Sequence, residues 1–577
     1  LKRQGSLEIA PLIGRSRAPP PHASRRGEVV SALCIIVAAF ATLAASAAFP
    51  ADPDPLVEAG RRIYQEGVLP SGKQVHAARD GGTQVSGANA ACMLCHRRSG
   101  MGAPEGLTRV PPVIGRALFD DFRRIGQMPQ QASGARSPPD EFRLFGWAAG
   151  TRPPYDDSTL ARAIREGVST SGSRFQYLMP RYDLGDADMA ALIAYLKSLS
   201  VDASPGARTP TVKFATVIAP AMDGAKRDAF LGVLRACMGI PRLRSRHDRG
   251  GTWQLQEWQL EGPAETWSSQ LRERYAREPV FAIVSGLGGA QWAPVHQFCE
   301  SERVPCLFPN VEMPGDTEDA IYSFYFSRGV LLEADALAAY LAEHRERLGI
   351  KGVLQLSADE AGSAAAAALR RALVPYGIET RDRNEALPGA AAAAVSWLQQ
   401  ASSKDAIVLW LRAGAIEALM RRLSVPPGSQ PVFFSGLLGG LEHTPVPAAW
   451  RPVSYLTYPE EIPGRWKQRV HSNLLPWLTS QGLTSRDERL EGNTLAACAS
   501  LSESVYGLMG VYRREYLLET VENALSNSGL GNAGATAAFP RFLLGTNQRF
   551  ASKGSYIVRF AGPSGTGLAG ESDWIVP

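Results

Sequence analysis

Two cysteines separated by two residues, with a histidine directly after the second, sit in "ACMLCHRRSG" at residues 91 to 100. The stretch around them, residues 53 to 200, reads as helical pieces divided by long Gly- and Pro-rich loops. Such a pattern buries too little side chain to make a core unless something else fills the centre. Cys92, Cys95 and His96 are the groups placed to hold that filler.

A c-type haem takes two thiols, which form thioethers with its vinyl groups, and a histidine set under the iron by the second thioether. Cys92, Cys95 and His96 supply these in order. A redox dithiol and half of a zinc shell are the alternatives. Neither calls for the adjacent histidine, and no second cysteine pair lies nearby to complete a tetrahedral site. One covalently attached haem c is therefore expected. A second axial ligand is sought among Met93, Met101, Met128, Met179 and Met189. Met93 lies between the thiols, Met101 is too near His96, and Met189 falls on an apolar helical stripe with Leu192, Ile193, Leu196 and Leu199. Met179, in "YLMPRYDL", is the choice, so His96 and Met179 are the expected metal ligands.

The helix after Met179 is expected to dock on "PLVEAGRRIYQEG", with Gly60 permitting close approach and Tyr64 meeting Tyr195. Pro111 or Pro112 could give a carbonyl to the second ring nitrogen of His96; plain turn prolines are the other reading.

On these residues the segment 53–200 resembles a mono-haem, class I type cytochrome c. The resemblance implies an all-α domain and single-electron transfer through an exposed haem edge, with a periplasmic redox partner as donor or acceptor. One departure is the polar loop from Val68 to Ala90, which lengthens the step to the attachment motif.

Residues 201–211, "VDASPGARTPT", have linker composition. From residue 212 to 577 short apolar runs ("FATVIAP", "FAIVSGLG", "GVLQLSA", "DAIVLWLR", "PVFFSGLL") alternate with amphipathic helices, the α/β pattern. No internal repeat stands out. In "SGLGGAQWAPVHQFCE" a strand ends at Ser285 in a glycine turn before a helix, whose free N–H groups could hold a carboxylate. A nucleotide phosphate is the weaker alternative, because Gly286, Gly288 and Gly289 match neither phosphate-binding fingerprint.

The order of elements in 212–577, with "FPN", "YSFYFSRG" and "ESDWIVP", resembles a type I periplasmic binding protein of the branched-chain amino acid or amide kind. That resemblance implies two similar lobes hinged about a cleft for a small polar solute, the second lobe starting near residue 331. By position Ser285, Gly286 and Leu287 would line one side of the cleft, and Asp359 and Glu360 the other as acceptors for an ammonium. Capping of the next helix is the competing role for Asp359 and Glu360. Packing is the expected role of Tyr325 and Ser435. The fold class expected for the whole chain is thus multidomain: an all-α cytochrome c domain followed by a two-lobed α/β domain.

Residues 25 to 50 have the charged, apolar, small-residue order of an export signal, within an extension spanning 1–48, with cleavage expected after Ala47. An uncleaved anchor is the alternative, so any membrane attachment would come from this segment alone. Six cysteines then remain, an even set for an oxidising compartment. Cys299 and Cys306, seven apart, are candidates for a local disulfide or a buried thiol pair. The net charge of +5 is dispersed, with no basic run paired with aromatics, which argues against a nucleic-acid partner. No catalytic constellation with diagnostic spacing is present, so the expectation is an electron carrier or binding protein, not an enzyme. Solute capture for a permease and haem-linked sensing are the other two functional readings.

Overall fold

Helix α1 (Pro55–Glu66) buries Gly60, Ile63 and Tyr64 against α4 (Asp186–Ser198). The crossing is close because Gly60 has no side chain: a Cβ there would lie 2.0 Å from the Ala191 carbonyl oxygen. Tyr64 and Tyr195 meet with ring centroids 5.2 Å apart. This computed structural model describes residues 54–105, 108–121, 152–208, 211–220, 222–239, 252–315, 318–387, 389–440, 446–527, 532–545, 548–561 and 567–577. The expected export signal, its cleavage point at Ala47 and Met128 lie outside the described residues.

The first module is not all-α. Strand β1 (His76–Ala78) pairs antiparallel with β2 (Gln84–Ser86) and with β3 (Arg181–Asp183). The hairpin arises in the polar loop Val68–Ala90, where Asp80-Gly81-Gly82 supplies left-handed turn residues, Gly81 at φ 96° and Gly82 at φ 85°. Helices α2 (Met93–His96) and α3 (Asp157–Glu166) and a short helix, Gly115–Phe119, lie around the thiol pair; Asp156 caps α3 through the Thr159 N–H.

A repeat is present after all. Both α1 and α3 end in Glu-Gly-Val and run into Ser-Gly, at residues 66–72 and 166–172. Gly67 and Gly167 take φ 67° and 71°; Leu69 N–H bonds Lys73 O at 2.8 Å as Ser169 N–H bonds Ser173 O at 2.9 Å; Val75 and Phe175 both return to the glycine carbonyl at 2.8 Å. The shared Glu-Gly-Val-x-x-Ser-Gly is too short to stand out in the sequence; the left-handed glycines and the backbone bonds they permit make the likeness plain.

The second module contains two parallel sheets of one topology. In the first, β4 (Thr211–Ile218), β5 (Thr252–Gln259), β6 (Ala282–Val284), β7 (Cys306–Leu307) and β8 (Ser323–Phe324) lie in the order β5-β4-β6-β7-β8. In the second, β9 (Gly352–Ser357), β10 (Glu379–Asn384), β11 (Asp405–Trp410), β12 (Val432–Ser435) and β13 (Ser454–Tyr458) lie in the order β10-β9-β11-β12-β13, extended by antiparallel β14 (Tyr556–Ala561) and β15 (Gly567–Gly570). Both are the 2-1-3-4-5 order of a doubly wound sheet, whose ligand crevice opens where the winding reverses. The central strands β4, β6, β11 and β12 are buried on both faces, whereas the edge strand β10 is charged and largely exposed.

Chain crossings tie the lobes together. In lobe one, helix α5 (Gly224–Gly239) packs in one core cluster and α6 (Ala293–Ser301) in another, and α7 (Val330–Glu343) begins lobe two packed on α8 (Glu360–Leu373). Residues from 466 to 551, including α9 (Glu488–Gly507) and α10 (Arg514–Asn527), return to the core of lobe one. Two disulfides are formed: Cys299–Cys306 within lobe one, and Cys237–Cys498, which joins α5 to α9 across 261 residues of sequence.

The segment 201–211 is not a free linker. Ala207–Arg208 pairs antiparallel with the start of β4, and Ser204 N–H bonds Tyr512 O at 2.8 Å. Buried Arg514 gathers the carbonyls of Pro205, Val280, Phe281, Glu302 and Arg303. A guanidinium with five donors satisfies several strand-end carbonyls at once, which fastens this strap down. Residues 55–577 accordingly form one compact unit, although the first module keeps its own core.

Candidate functional site

Helix α2 is a single turn that sets Cys92, Cys95 and His96 on the wall of a cavity of about 580 Å³. Met179 lines the same cavity, from the loop that follows the second copy of the repeat. Every residue expected to hold a haem thus reaches one space, and its size falls within the range of about 300–1,000 Å³ usual for small-molecule and cofactor sites. Met189 is instead in the core, 2% exposed.

His96 is buried, and its Nδ1 lies 2.9 Å from the Pro111 carbonyl oxygen. A carbonyl only accepts, so Nδ1 carries the proton and Nε2 keeps its lone pair. Burial lowers the imidazole's affinity for a second proton, with the Pro111 bond opposing it more weakly. The ring is therefore held in the neutral, ligating form. Cys92 and Cys95 are half-buried thiols. Burial pushes the Cys92 thiol up to about 12, against a hydrogen bond from Tyr182.

The charge of the lining is one-sided. Arg79, Arg152 and Arg174 face the cavity, and no Asp or Glu is among its described lining residues. Arg79 Nε is buried with no hydrogen-bond partner among the described residues. Arg152 is held by the carbonyls of Ala117, Leu118 and Pro153 and lies 4.2 Å over the Tyr155 ring. An orphaned guanidinium nitrogen and three positive charges want an anionic guest. Apolar Leu118, Leu160, Ile164, Phe175, Leu192 and Leu196 supply the remainder of the wall. The space therefore suits a flat apolar body bearing carboxylates, which is what a haem with its propionates is.

Residues 80–200 match the cytochrome c family. The cytochrome c module so identified carries the thiol pair, His96 and Met179 within the matched span. That family implies a covalently attached haem. The polar loop preceding the motif contributes to its cavity through Arg79 and Asn89, residues that sequence reasoning had not singled out.

No curated protein matches the chain. Among solved structures, a branched-chain amino acid ABC transporter protein from Thermus thermophilus with bound valine is 15% identical, covering 64% of this chain and 97% of its own, with a TM-score of 0.47. An ABC transporter substrate-binding protein from Sphaerobacter thermophilus is 17% identical over 63% of this chain and 98% of its own, also at 0.47. A type 1 periplasmic binding protein from Bordetella pertussis is 14% identical, with 63% and 100% coverage and the same score. The lobed architecture stands on the matching strand orders of the two sheets.

The strand ends expected to face a solute are largely occupied by the protein itself. Ser285 is buried, its N–H bonded to Leu307 O and its Oγ accepting from Asn310 Nδ2 at 3.2 Å. Leu287 bridges to Ile218 and Asn310. The Trp292 ring covers Gly286 and Gly288, where a Cβ would lie 2.8 and 2.6 Å from it, so α6 begins behind an indole. Asp359 caps α8, accepting from Gly362 N–H at 2.9 Å, while Glu360 is exposed. Tyr325 bonds buried His296, and Ser435 donates to buried Glu333.

Arg412, at the end of β11, is the residue that sequence reasoning missed. Its guanidinium grips Glu312 of lobe one through Nη1 and Nη2, the latter at 2.7 Å, and Asp359 of lobe two through Nε at 2.6 Å. The lobes are thereby bridged at the carboxyl ends of their strands.

Proposed function

We propose that this protein is an exported c-type cytochrome that carries single electrons, with one haem attached through Cys92 and Cys95 and ligated by His96 and Met179. The observation that supports it is the convergence of these four side chains on one cationic, otherwise apolar cavity. When bound, the haem supplies a one-electron iron couple. The chain holds the His96 imidazole neutral and oriented through Pro111, offers a thioether from the Met179 loop, and presents Arg79, Arg152 and Arg174 to propionates. Two disulfides agree with a periplasmic location. Among the described residues no helix is long and apolar enough to cross a membrane.

The two-lobed module acts as a binding partner for the haem module, taking a small polar solute such as an amino acid or amide, or docking a redox enzyme, without chemistry of its own. Solute capture for a permease and haem-linked sensing remain the alternatives that the lobes themselves raise. The deciding experiment uses protein matured in a periplasm: stopped-flow reduction and reoxidation by one-electron donors and acceptors, alongside calorimetry with amino acids and amides. Reversible one-electron cycling of every molecule supports the carrier. A coloured protein that exchanges no electron with any donor or acceptor overturns it. Heat on adding a solute, with a shifted haem potential, would favour sensing; heat with no shift would favour capture.

A further inference from the structure

The loop leaving His96 is held from both sides. Within its own module, Tyr64 OH donates to Arg97 O at 2.7 Å, and Arg97 takes a left-handed φ of 63°. From lobe one, α10 brings Glu519 to Ser99, three residues past His96. Ser99 N–H donates to Glu519 Oε1 at 2.7 Å and the Ser99 hydroxyl to Oε2 at 2.5 Å, while Ser99 Oγ accepts from Met101 N–H at 3.1 Å. A small cavity of about 50 Å³ lies alongside, between Arg97 and Arg98 on the haem side and Glu515, Glu519, Glu522 and Arg549 on the other.

The other two carboxylates beside this contact already have cationic partners. Glu522 is paired with Arg549 at 2.8 Å. Glu515 accepts from Tyr322 OH at 3.1 Å and faces Arg513 at 3.5 Å. Arg98 reaches Gln65 at 3.1 Å. Glu519 accepts hydrogen bonds from the Ser99 N–H and hydroxyl, and Arg97 is a positive neighbour.

We propose that Glu519 is a potential-setting residue of the haem centre, a carboxyl lent by the α/β module that exchanges a proton as the iron changes oxidation state. This rests on the haem assignment above. Glu519 as a whole is half-buried, but its carboxyl lies in the interface, and desolvation there pushes it up to about 8. The bonds from Ser99 and the charge of Arg97 pull the other way, and Glu522 adds to the rise. A charge added at the iron acts on this carboxyl through an enclosed interface, where screening is weak. On one-electron reduction by an external donor, Glu519 takes up one proton from water and its Oε2–H donates to Ser99 Oγ. On oxidation that proton leaves and the Ser99 hydroxyl donates back. The ionised carboxylate favours the more positive, oxidised site, so the midpoint potential must fall as pH rises through the region near 8.

The test is an absorbance-monitored equilibrium redox titration of the full-length holoprotein from pH 6 to 10, on wild type, Glu519→Gln and Ser99→Ala. Wild type is expected to lose potential with rising pH around 8, with a slope approaching at most about 59 mV per unit, the one-electron equivalent of a tenfold change in proton activity. Glu519→Gln, which keeps an amide in the same bonds, is expected to be flat there and higher than wild type at pH 10. Ser99→Ala, which strips a donor from the carboxylate, is expected to move the slope to higher pH. A wild-type slope that survives in Glu519→Gln places the proton elsewhere, for instance on a propionate, and overturns the proposal, as does a flat wild type. If Glu519→Gln fails to fold, an unmoved slope in Ser99→Ala overturns it alone. Failure of the haem assignment is distinguishable, because such protein shows no haem absorbance to titrate.

Discussion

The Nδ1 of His96 and the carbonyl oxygen of Pro111 are 2.9 Å apart, a main-chain acceptor fixing the ring that faces the cavity. Pro112 keeps Pro111 extended, since a residue before proline is driven from the helical region. Replacing both prolines by glycine should leave the haem attached but free the ring. Such outer partners are worth about 10–100-fold in ligation. Added imidazole should therefore displace the native ligand at about tenfold lower concentration, read by absorbance. An unchanged titration would show that the carbonyl does not restrain His96.

Gly60 meets the Ala191 backbone with no room for a methyl group. Gly60→Ala must part α1 from α4, and overpacking of this kind costs about 1–3 kcal/mol. The melting temperature of the haem module, followed by haem absorbance, should fall accordingly. A variant as stable as wild type would mean that the helices do not cross as closely as described.

The bidentate pair of Arg412 with Glu312 links two lobes, yet Arg412 is half-exposed, so its strength is modest and sensitive to salt. Arg412→Met should leave each lobe folded and cost at most about 1 kcal/mol, while widening the distribution of lobe separations. Small-angle scattering is expected to give a larger radius of gyration for the variant, and for wild type in high salt. Identical scattering curves would show that other contacts hold the lobes.

Two carboxyls are pushed up from their ordinary value of 4.5: Glu333 to about 7, by burial against the bonds from Ser435, Leu437, Thr457 and Gly436, and Glu519 to about 8. Between 4.5 and these values the folded protein retains protons that the unfolded chain has released, so stability declines as pH rises. The contribution is complete below about pH 4.5 and lost on passing through 7 to 8. Calorimetric melting should drop between pH 5 and 8.5, and Glu333→Gln should flatten part of that drop. A melting temperature that rises over this range would contradict it.

Local geometry was the most legible part of the sequence. The spacing of Cys92, Cys95 and His96, the stripe that consigned Met189 to the core, and the missing side chain of Gly60 each act over a few residues, so their places could be read directly. The apolar runs likewise announced buried parallel strands. What stayed hidden depends on long-range geometry. Arg412 looks like an ordinary residue before a helix until β11 sets it opposite Glu312. Cys237 and Cys498 are 261 positions apart, and nothing in either neighbourhood names the other. The segment 201–211 has the composition of a loose linker, yet its pairing with β4 and the groups of Tyr512 and Arg514, some 300 residues on, fasten it. Glu519 touches Ser99 across 420 residues, a contact that no local pattern encodes.

The most direct test of the account is the intact mass of the exported, denatured protein together with its pyridine haemochrome spectrum. The prediction is one haem per chain that survives denaturation and solvent extraction, and that is lost from the covalent fraction when Cys92 and Cys95 are both replaced by alanine. A colourless protein with the apoprotein mass and two reactive thiols at Cys92 and Cys95 would contradict it.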